Sequence, residues 1–147
     1  MTNYRVTYWL LFCLIFTGCN SSPYPLAPVS GTVRVDGQTL SGGSVVFRCI
    51  ADDKNKNVGK AGYGEIKSDG TFVLGTFANT DGGIVGDHHV MVNCQLEGQN
   101  PSLVKIGLER KFTVVAGEDN VFEIDLTSED VARGAENERR FQESRGG

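Results

Sequence analysis

Residues 29–50 read VSGTVRVDGQTLSGGSVVFRCI, and this stretch decides the fold. Its two apolar runs, 29–35 and 44–50, alternate in a way that is typical of strands with one buried face. Asp36-Gly37 follows the first run and favours a tight hairpin turn, because glycine accepts a positive φ. The stretch therefore predicts two strands that are joined by a turn and a short bend.

The same alternation continues toward residue 127. Further strands are predicted at 60–67, 71–74, 88–96, 108–115 and 121–126. Turn signals recur at intervals of about 8–15 residues, and no convincing helical pattern lies between them. The 19 glycines and four prolines of the chain suit such frequent turns. We therefore predict an all-β fold, an antiparallel seven- to eight-stranded β-sandwich over residues 29–127.

Charge excludes one class of partner. The 147 residues include 14 basic and 18 acidic side chains, which give a formal net charge of −4. Nucleic-acid binding needs clustered Lys and Arg to displace counterions from phosphates, and the basic residues here are scattered. No nucleic-acid partner is predicted.

The amino end is predicted to be a signal peptide over residues 1–18. Arg5 precedes an almost wholly apolar run at 6–16. As a helix this run would span roughly 17 Å, which is too short for a bilayer core of about 30 Å. Its length and position are those of a signal-peptide hydrophobic region.

The residues that follow indicate a lipid anchor. Phe16-Thr17-Gly18-Cys19 resembles a lipobox, in which small residues precede a cysteine that takes a diacylglycerol and becomes the first residue after cleavage. The resemblance implies lipid attachment at Cys19, a tether over 19–28, and a membrane partner reached through acyl chains. The alternatives are an ordinary secretory peptide cut near Gly18 and an uncleaved anchor. In the lipoproteins that this motif resembles, an Asp directly after the lipid-bearing cysteine can mark retention in the inner membrane, and Asn20 is not acidic. The resemblance therefore implies a location at the bacterial cell envelope, on the outer membrane facing the periplasm or the cell surface.

Two cysteines remain in the predicted domain. Cys49 shares a strand face with Val45 and Phe47, and Cys94 shares one with Val90 and Val92, so both thiols are predicted to point toward the core. In an oxidising compartment they can form a cross-strand disulfide if their strands pair in the right register. The alternative is a pair of buried free thiols that act as small apolar side chains.

The tail over residues 128–147 differs in character. It is highly charged, Val131 and Phe141 are its only large apolar side chains, and Gly134 interrupts any helix. It is predicted to be disordered or weakly helical and flexible.

The order of these pieces resembles the carboxypeptidase regulatory-like domain, a transthyretin-like (prealbumin-like) sandwich. The opening strand with its Asp36-Gly37 turn matches, and so do Ser41-Gly42-Gly43-Ser44-Val45-Val46-Phe47, Ser68-Asp69-Gly70-Thr71-Phe72 and 85–92. In the last of these His88 stands where the family has Tyr. The resemblance implies the fold and a non-catalytic role, and it carries no site residue over.

Two groupings of residues resemble chemical sites. Asp87-His88-His89 suggests zinc ligands, but adjacent strand residues point to opposite faces and no third histidine exists. The segment 53–59 spaces oxygen ligands as a calcium loop does, although lysines intervene and the final glutamate is absent. No candidate nucleophile can be paired with a general base from the sequence. No catalytic residue, metal or cofactor is predicted, and the chain is not expected to be an enzyme.

The function predicted is that of a membrane-anchored binding, adhesion or scaffold module of the cell envelope, with an envelope protein or glycan as partner. The alternative is a carrier of a small ligand or glycan. A hydrolase ranks third, and a pocket that pairs His88 or His89 with Ser, Cys or a carboxylate would favour it.

Overall fold

The structure is a computed structural model that describes residues 24–51, 58–95 and 103–146. These residues form mostly β-structure with one C-terminal helix, which confirms the predicted β-rich class. The elements are β1 (Leu26–Ala27), β2 (Val29–Val35), β3 (Gln38–Thr39), β4 (Ser44–Cys49), β5 (Gly62–Glu65), β6 (Thr71–Val73), β7 (Gly83–Ile84), β8 (Gly86–Gln95), β9 (Leu103–Val114), β10 (Asn120–Leu126) and α1 (Ser128–Arg145).

The strands form two four-stranded sheets and one small pair. In the first sheet β2 pairs with β10, β3 and β6; the second sheet has the order β5-β4-β8-β9, and β1 pairs with β7. The pairs are antiparallel except for β2 and β10, which run parallel from Val29↔Asn120 to Val35↔Leu126. The prediction of a wholly antiparallel arrangement was therefore wrong for this pair. The two strands lie far apart in the chain, so no short turn dictates their relative direction.

The core lies between the two sheets and contains the apolar faces of both. Phe47 of the second sheet contacts Phe72 and Phe122 of the first, with ring centroids 6.2 and 5.6 Å apart. Burying a side chain of this kind contributes about 1.5–3 kcal/mol. The buried apolar residues that form this core cluster are Ala27, Val29, Val33, Val45, Phe47, Ile66, Phe72, Leu74, Val90, Val92, Cys94, Val104, Ile106, Phe112, Val114, Ile124 and Leu126.

The predicted hairpin at Asp36-Gly37 is confirmed. Val35 lies opposite Gln38, and the two turn residues have φ of 48° and 79°, as a tight turn between antiparallel strands requires. The Asp36 carboxylate also accepts hydrogen bonds from the backbone amide of Ser128, at 3.1 Å, and from its hydroxyl. The first turn of the domain therefore contacts the start of the C-terminal helix.

The tail is helical, so its prediction as a disordered or weakly helical segment was wrong. Helix α1 begins with a capping box, in which the Thr127 hydroxyl accepts from the Asp130 amide and the Asp130 carboxylate accepts from the Thr127 amide. Ion pairs at helical spacing, among them Glu136 with Arg139 and Arg140, add to the support of the helix.

Gly134 does not interrupt this helix; it is the point at which the helix contacts β9. A Cβ atom there would lie 2.8 Å from Val104 Cγ1 and 3.0 Å from the Lys105 carbonyl oxygen. The missing side chain therefore lets the helix backbone approach the strand closely. Lys105 also pairs with Glu138, with its Nζ 3.2 Å from the carboxylate.

Candidate functional site

Two places could carry function, and the first is a thiol–imidazole pair. Cys49 at the end of β4 lies opposite His88 on β8, and Sγ lies 3.0 Å from Nε2. The Nδ1 atom of His88 lies 2.9 Å from the Gly86 carbonyl oxygen. Because a carbonyl only accepts, Nδ1 carries the hydrogen, and Nε2 accepts from the thiol.

The surroundings of the pair favour the neutral forms of both groups. Burial raises the pKa of the Cys49 thiol and lowers the pKa of the His88 imidazole. His88 is 1 % exposed, and its ring centroid lies 5.7 Å from that of Phe47. A nucleophilic cysteine needs the thiolate form, which a neighbouring imidazolium usually stabilises. The Cys49–His88 contact is therefore a partly buried hydrogen bond between neutral groups, and it joins β4 to β8.

Cys49 and Cys94 are free thiols, so the possible disulfide is not formed in this structure. Cys49 lies opposite His88, whereas Cys94 lies opposite Val104, six positions farther along β8. At ~3.3 Å per residue the two thiols are roughly 20 Å apart along the strand. A disulfide needs Cα atoms within about 7 Å. Cys94 is fully buried, as predicted, and Cys49 is half-buried.

The sequence neighbours of His88, Asp87 and His89, do not form a site with it. His89 points to the other side of β8 and is exposed, as strand alternation predicts. Asp87 accepts from the Thr113 hydroxyl at 2.7 Å and pairs with Lys111, and the Thr113 hydrogen bond lowers the pKa of its carboxyl. Within 24–51, 58–95 and 103–146, no group of three His, Cys, Asp or Glu side chains is arranged to hold a metal ion. Most of the segment 53–59 lies outside the described residues.

The second place is a depression of about 550 Å³ on the outer surface, over β5 and the segment that follows β6. Tyr63 and Phe77 are its exposed aromatic side chains, with 57 % and 42 % of their surface in contact with solvent. The lining residues are Lys60, Ala61, Tyr63, Glu65, Lys67, Val73, Gly75, Thr76, Phe77, Ala78, Asn79 and Thr80.

The alternation of β5 builds this depression. Gly62 and Gly64 face inward, where Cβ atoms would lie 2.8 Å from Leu74 Cδ2 and 3.0 Å from the Val73 carbonyl oxygen. The glycines therefore let β5 approach the chain that continues from β6, and Tyr63 points outward. The Tyr63 amide and carbonyl both bond to Gly75, at 2.8 and 2.9 Å. In its sheet, β5 is the edge strand.

Asp81 holds the loop that carries Phe77. Its carboxylate accepts from the backbone amides of Thr76, Phe77 and Ala78, at 2.6, 3.1 and 2.9 Å. Burial alone would raise the pKa of Asp81, but these amides more than offset it, so the pKa lies below its ordinary value. Thr80 has a φ of 63°, which β-branched residues rarely adopt. The loop is therefore held in one conformation.

A second depression, of about 340 Å³, adjoins the first and shares Val73 and Thr80 with it. Its other lining residues are Pro28, Val29, Ser30, Asp119, Asn120 and Val121. Val121, Ser30 and Val73 form one row across β10, β2 and β6, and Val121 is 67 % exposed. We call the two depressions together the outer-face trough.

Sequence reasoning missed the trough, because Tyr63, Phe77 and Val121 had been treated as ordinary strand and loop residues. One signal was available. The run Gly62-Tyr63-Gly64-Glu65 alternates with glycine on one side, so that an aromatic ring stands on the side that the core does not use.

Cys19 and the predicted signal peptide lie outside the described residues, and so does the first half of the predicted tether, residues 19–23. Over 24–51, 58–95 and 103–146, no helix combines the length and apolar character that a membrane span needs.

A scan against protein-family models finds no match to this chain, and a search of the curated proteins finds none.

Proposed function

We propose that this chain is an exported lipoprotein, held at the cell envelope by lipid on Cys19, whose β-domain binds an envelope component and catalyses no reaction. The observation that carries the binding role is the outer-face trough. It leaves large parts of the Tyr63, Phe77 and Val121 side chains in solvent, where their exposed surface does not contribute to the stability of the folded chain. An exposed apolar surface with a polar rim is the usual form of a recognition site.

The fold within this proposal is a transthyretin-like sandwich of the carboxypeptidase regulatory-like kind. Its support is the opening hairpin with its turn at Asp36-Gly37, followed by β4 in the second sheet. Seven of the strands in the described residues have three or more residues, in keeping with the expected count. The pairing of β2 with β10 places the first long strand of the domain beside the last.

The experiment is photo-cross-linking in the bacterium that makes the protein. A benzophenone amino acid replaces Tyr63 in the trough, and the control variant carries it in place of Phe141, which is 51 % exposed on α1. We expect a cross-linked envelope species from position 63 and none from position 141. Equal products from both positions, or none from position 63, would contradict a binding role for the trough.

The anchor has a separate test. The intact mass of the chain purified from membranes is expected to correspond to a sequence that begins at Cys19 with acyl groups added. The Cys19→Ser variant serves as the control and is expected to lose the added mass and the membrane association. An unmodified chain cut near Gly18 would show an ordinary secretory signal instead.

The second candidate is a carrier for a small ligand or glycan. The trough supports this role, because about 550 Å³ for its first depression lies within the range of small-ligand sites. A hydrolase has the weakest support, since the Cys49–His88 pair is held in its neutral form and lies apart from the trough.

A further inference from the structure

The trough is elongated and runs across strands. Val73, Ser30 and Val121 lie on three neighbouring strands, and strand spacing is about 4.8 Å, so the row is roughly 10 Å long. Tyr63 and Phe77 extend it beyond Val73. Two adjoining depressions that share Val73 and Thr80 fit an extended chain better than a compact molecule.

The apolar surfaces in the trough are flat. The Phe77 ring stacks on Tyr24 with centroids 6.0 Å apart and planes inclined by 4°, so one face of Phe77 is supported from behind. Aromatic faces carry partial negative charge and attract the slightly positive hydrogens of C–H bonds. A pyranose ring presents such C–H groups on its faces and hydroxyl groups around its edge, which matches a ring surface with a polar rim.

The rim carries both signs of charge. Lys60 and Lys67 lie at one end, Glu65 lies between them in sequence, and Asp119 lies at the other end. Lysine donates hydrogen bonds and carboxylates accept them, so together they suit hydroxyl groups, which do both. A strongly anionic polymer would meet Glu65 and Asp119, and the rim therefore favours a neutral chain.

The first depression does not suit an extended peptide that would add a strand beside Tyr63. A peptide that joins a sheet needs an open row of backbone amides and carbonyls. At Tyr63 those groups are taken by Gly75, and β4 pairs on the other side. A peptide lying on the face instead would leave its own backbone groups without protein partners.

The loop that carries Phe77 is already ordered. Three backbone amides bond to Asp81, and the Thr76 hydroxyl donates to the Gly82 carbonyl at 2.7 Å. A site that is ordered before binding loses less conformational entropy when the ligand arrives. This order favours the binding of a well-hydrated ligand, for which each contact with the protein contributes little free energy.

We infer that the ligand of the outer-face trough is a neutral linear oligosaccharide, which stacks on Tyr63 and Phe77 and extends past Val73 to Val121. The inference rests on the binding role proposed above and names the class of ligand for that site.

The test is calorimetric titration of the full chain, purified in detergent, with hexasaccharides and disaccharides of the chitin, cellulose and maltose series. We expect at least one hexasaccharide to bind about tenfold more tightly than its disaccharide, because only the longer chain reaches both depressions. Tyr63→Ala is expected to weaken hexasaccharide binding by about tenfold or more. Phe141→Ala, an aromatic deletion of similar exposure on α1, is expected to leave it unchanged.

Val121→Asp separates the two depressions. It is expected to weaken hexasaccharide binding and to leave disaccharide binding unchanged, since Val121 belongs only to the second depression. Circular dichroism of each variant shows whether it remains folded, and Phe77→Ala provides a second deletion in the trough if Tyr63→Ala does not fold.

Three outcomes would overturn the inference. The first is that no hexasaccharide binds to the folded protein, and the second is that binding persists in both trough deletions. The third is that the cross-linker at position 63 captures a protein while the sugars do not bind, in which case the binding role stands and the ligand class does not. If the sugars fail and position 63 also captures nothing, the binding role fails as well.

Discussion

The Cys49–His88 pair lies within the second sheet, on β4 and β8, whereas the outer-face trough lies over β5 and the outer face of the first sheet. The pair contains the two residue types most often found in catalysis, yet His88 is buried against Phe47 and both groups are held neutral. The trough contains no such chemistry, yet Tyr63, Phe77 and Val121 lie in solvent. The difference shows that accessibility and protonation state decide what a residue can do, and that residue type alone does not.

The largest difference between the two places is expected in stability. Phe47 contacts Phe72, Phe112, Phe122 and His88, so Phe47→Ala should lower the free energy of unfolding by about 3–5 kcal/mol. Phe77→Ala in the trough should lower it by about 1 kcal/mol or less, because Phe77 is half-exposed and loses mainly its stacking on Tyr24. Urea denaturation followed by circular dichroism measures both, and similar losses would contradict the distinction between them.

The next test compares helix α1 with the trough. The helix packs against buried residues of β9, whereas the aromatic side chains of the trough remain exposed. Gly134→Val should lower the free energy of unfolding by about 1–3 kcal/mol, because the added atoms meet Val104 and the Lys105 carbonyl oxygen. Gly107→Ala on the same strand is the matched control, since a Cβ there meets no atom within 4 Å. The free energy of unfolding of the Gly107→Ala variant should be unchanged or slightly higher. A loss equal to that of Gly134→Val would contradict the position of the helix against β9.

The neutral state of His88 predicts a pH dependence. Its pKa in the folded protein lies below the ordinary value of 6.5, so the unfolded chain binds the extra proton first as the pH falls. The stability that His88 contributes is therefore present above 6.5 and is lost as the pH falls below that value toward the folded pKa.

Unfolding curves recorded between about pH 7.5 and 5 measure this effect. His88→Phe should reduce the slope of stability against pH in that window, and His89→Gln, which changes the exposed neighbour, should keep it. An unchanged slope in His88→Phe would show that another group is responsible.

The smallest effect concerns thiol chemistry. Burial raises the pKa of both Cys49 and Cys94. An unperturbed thiol has a pKa of about 8.5, and only the thiolate form is alkylated. Both cysteines should therefore alkylate more slowly at about pH 8 than a cysteine in solution. Cys49 is half-buried and should react first, while Cys94 should react only on unfolding. Alkylation without a reductant, followed by peptide mapping, distinguishes the two residues. A Cys49–Cys94 peptide joined by a disulfide would contradict the register of β4 against β8.

The local part of the fold could be predicted from the sequence. The Asp36-Gly37 turn, the inward faces of Val90 and Val92 and the burial of His88 all follow from alternation and turn chemistry. The parallel pairing of β2 with β10 could not be predicted in this way, because partners distant in the chain leave no local signal.

The helix was missed for a physical reason. A run of charged residues predicts disorder when each charge is counted alone, whereas here Glu136, Arg139 and Arg140 neutralise one another at helical spacing. Gly134 was interpreted as a break in the helix, and its actual role depends on a strand about 30 residues earlier.

The trough could be predicted only in part. Strand alternation indicates that Tyr63 points outward, but it does not say that Phe77 and Val121 lie beside the same channel. That placement depends on the Asp81 loop and on strand pairing between sheets.

The parallel pairing of β2 with β10 also sets an order of events. Strand β2 lies near the start of the domain in the sequence, and its parallel partner β10 ends only at Leu126. Closing so long a loop is slow, and the first sheet stays incomplete until the last strand is present. A nascent chain lacking β10 therefore stays loosely structured, and if the protein is exported as proposed, it would cross the membrane unfolded and complete its core on the far side.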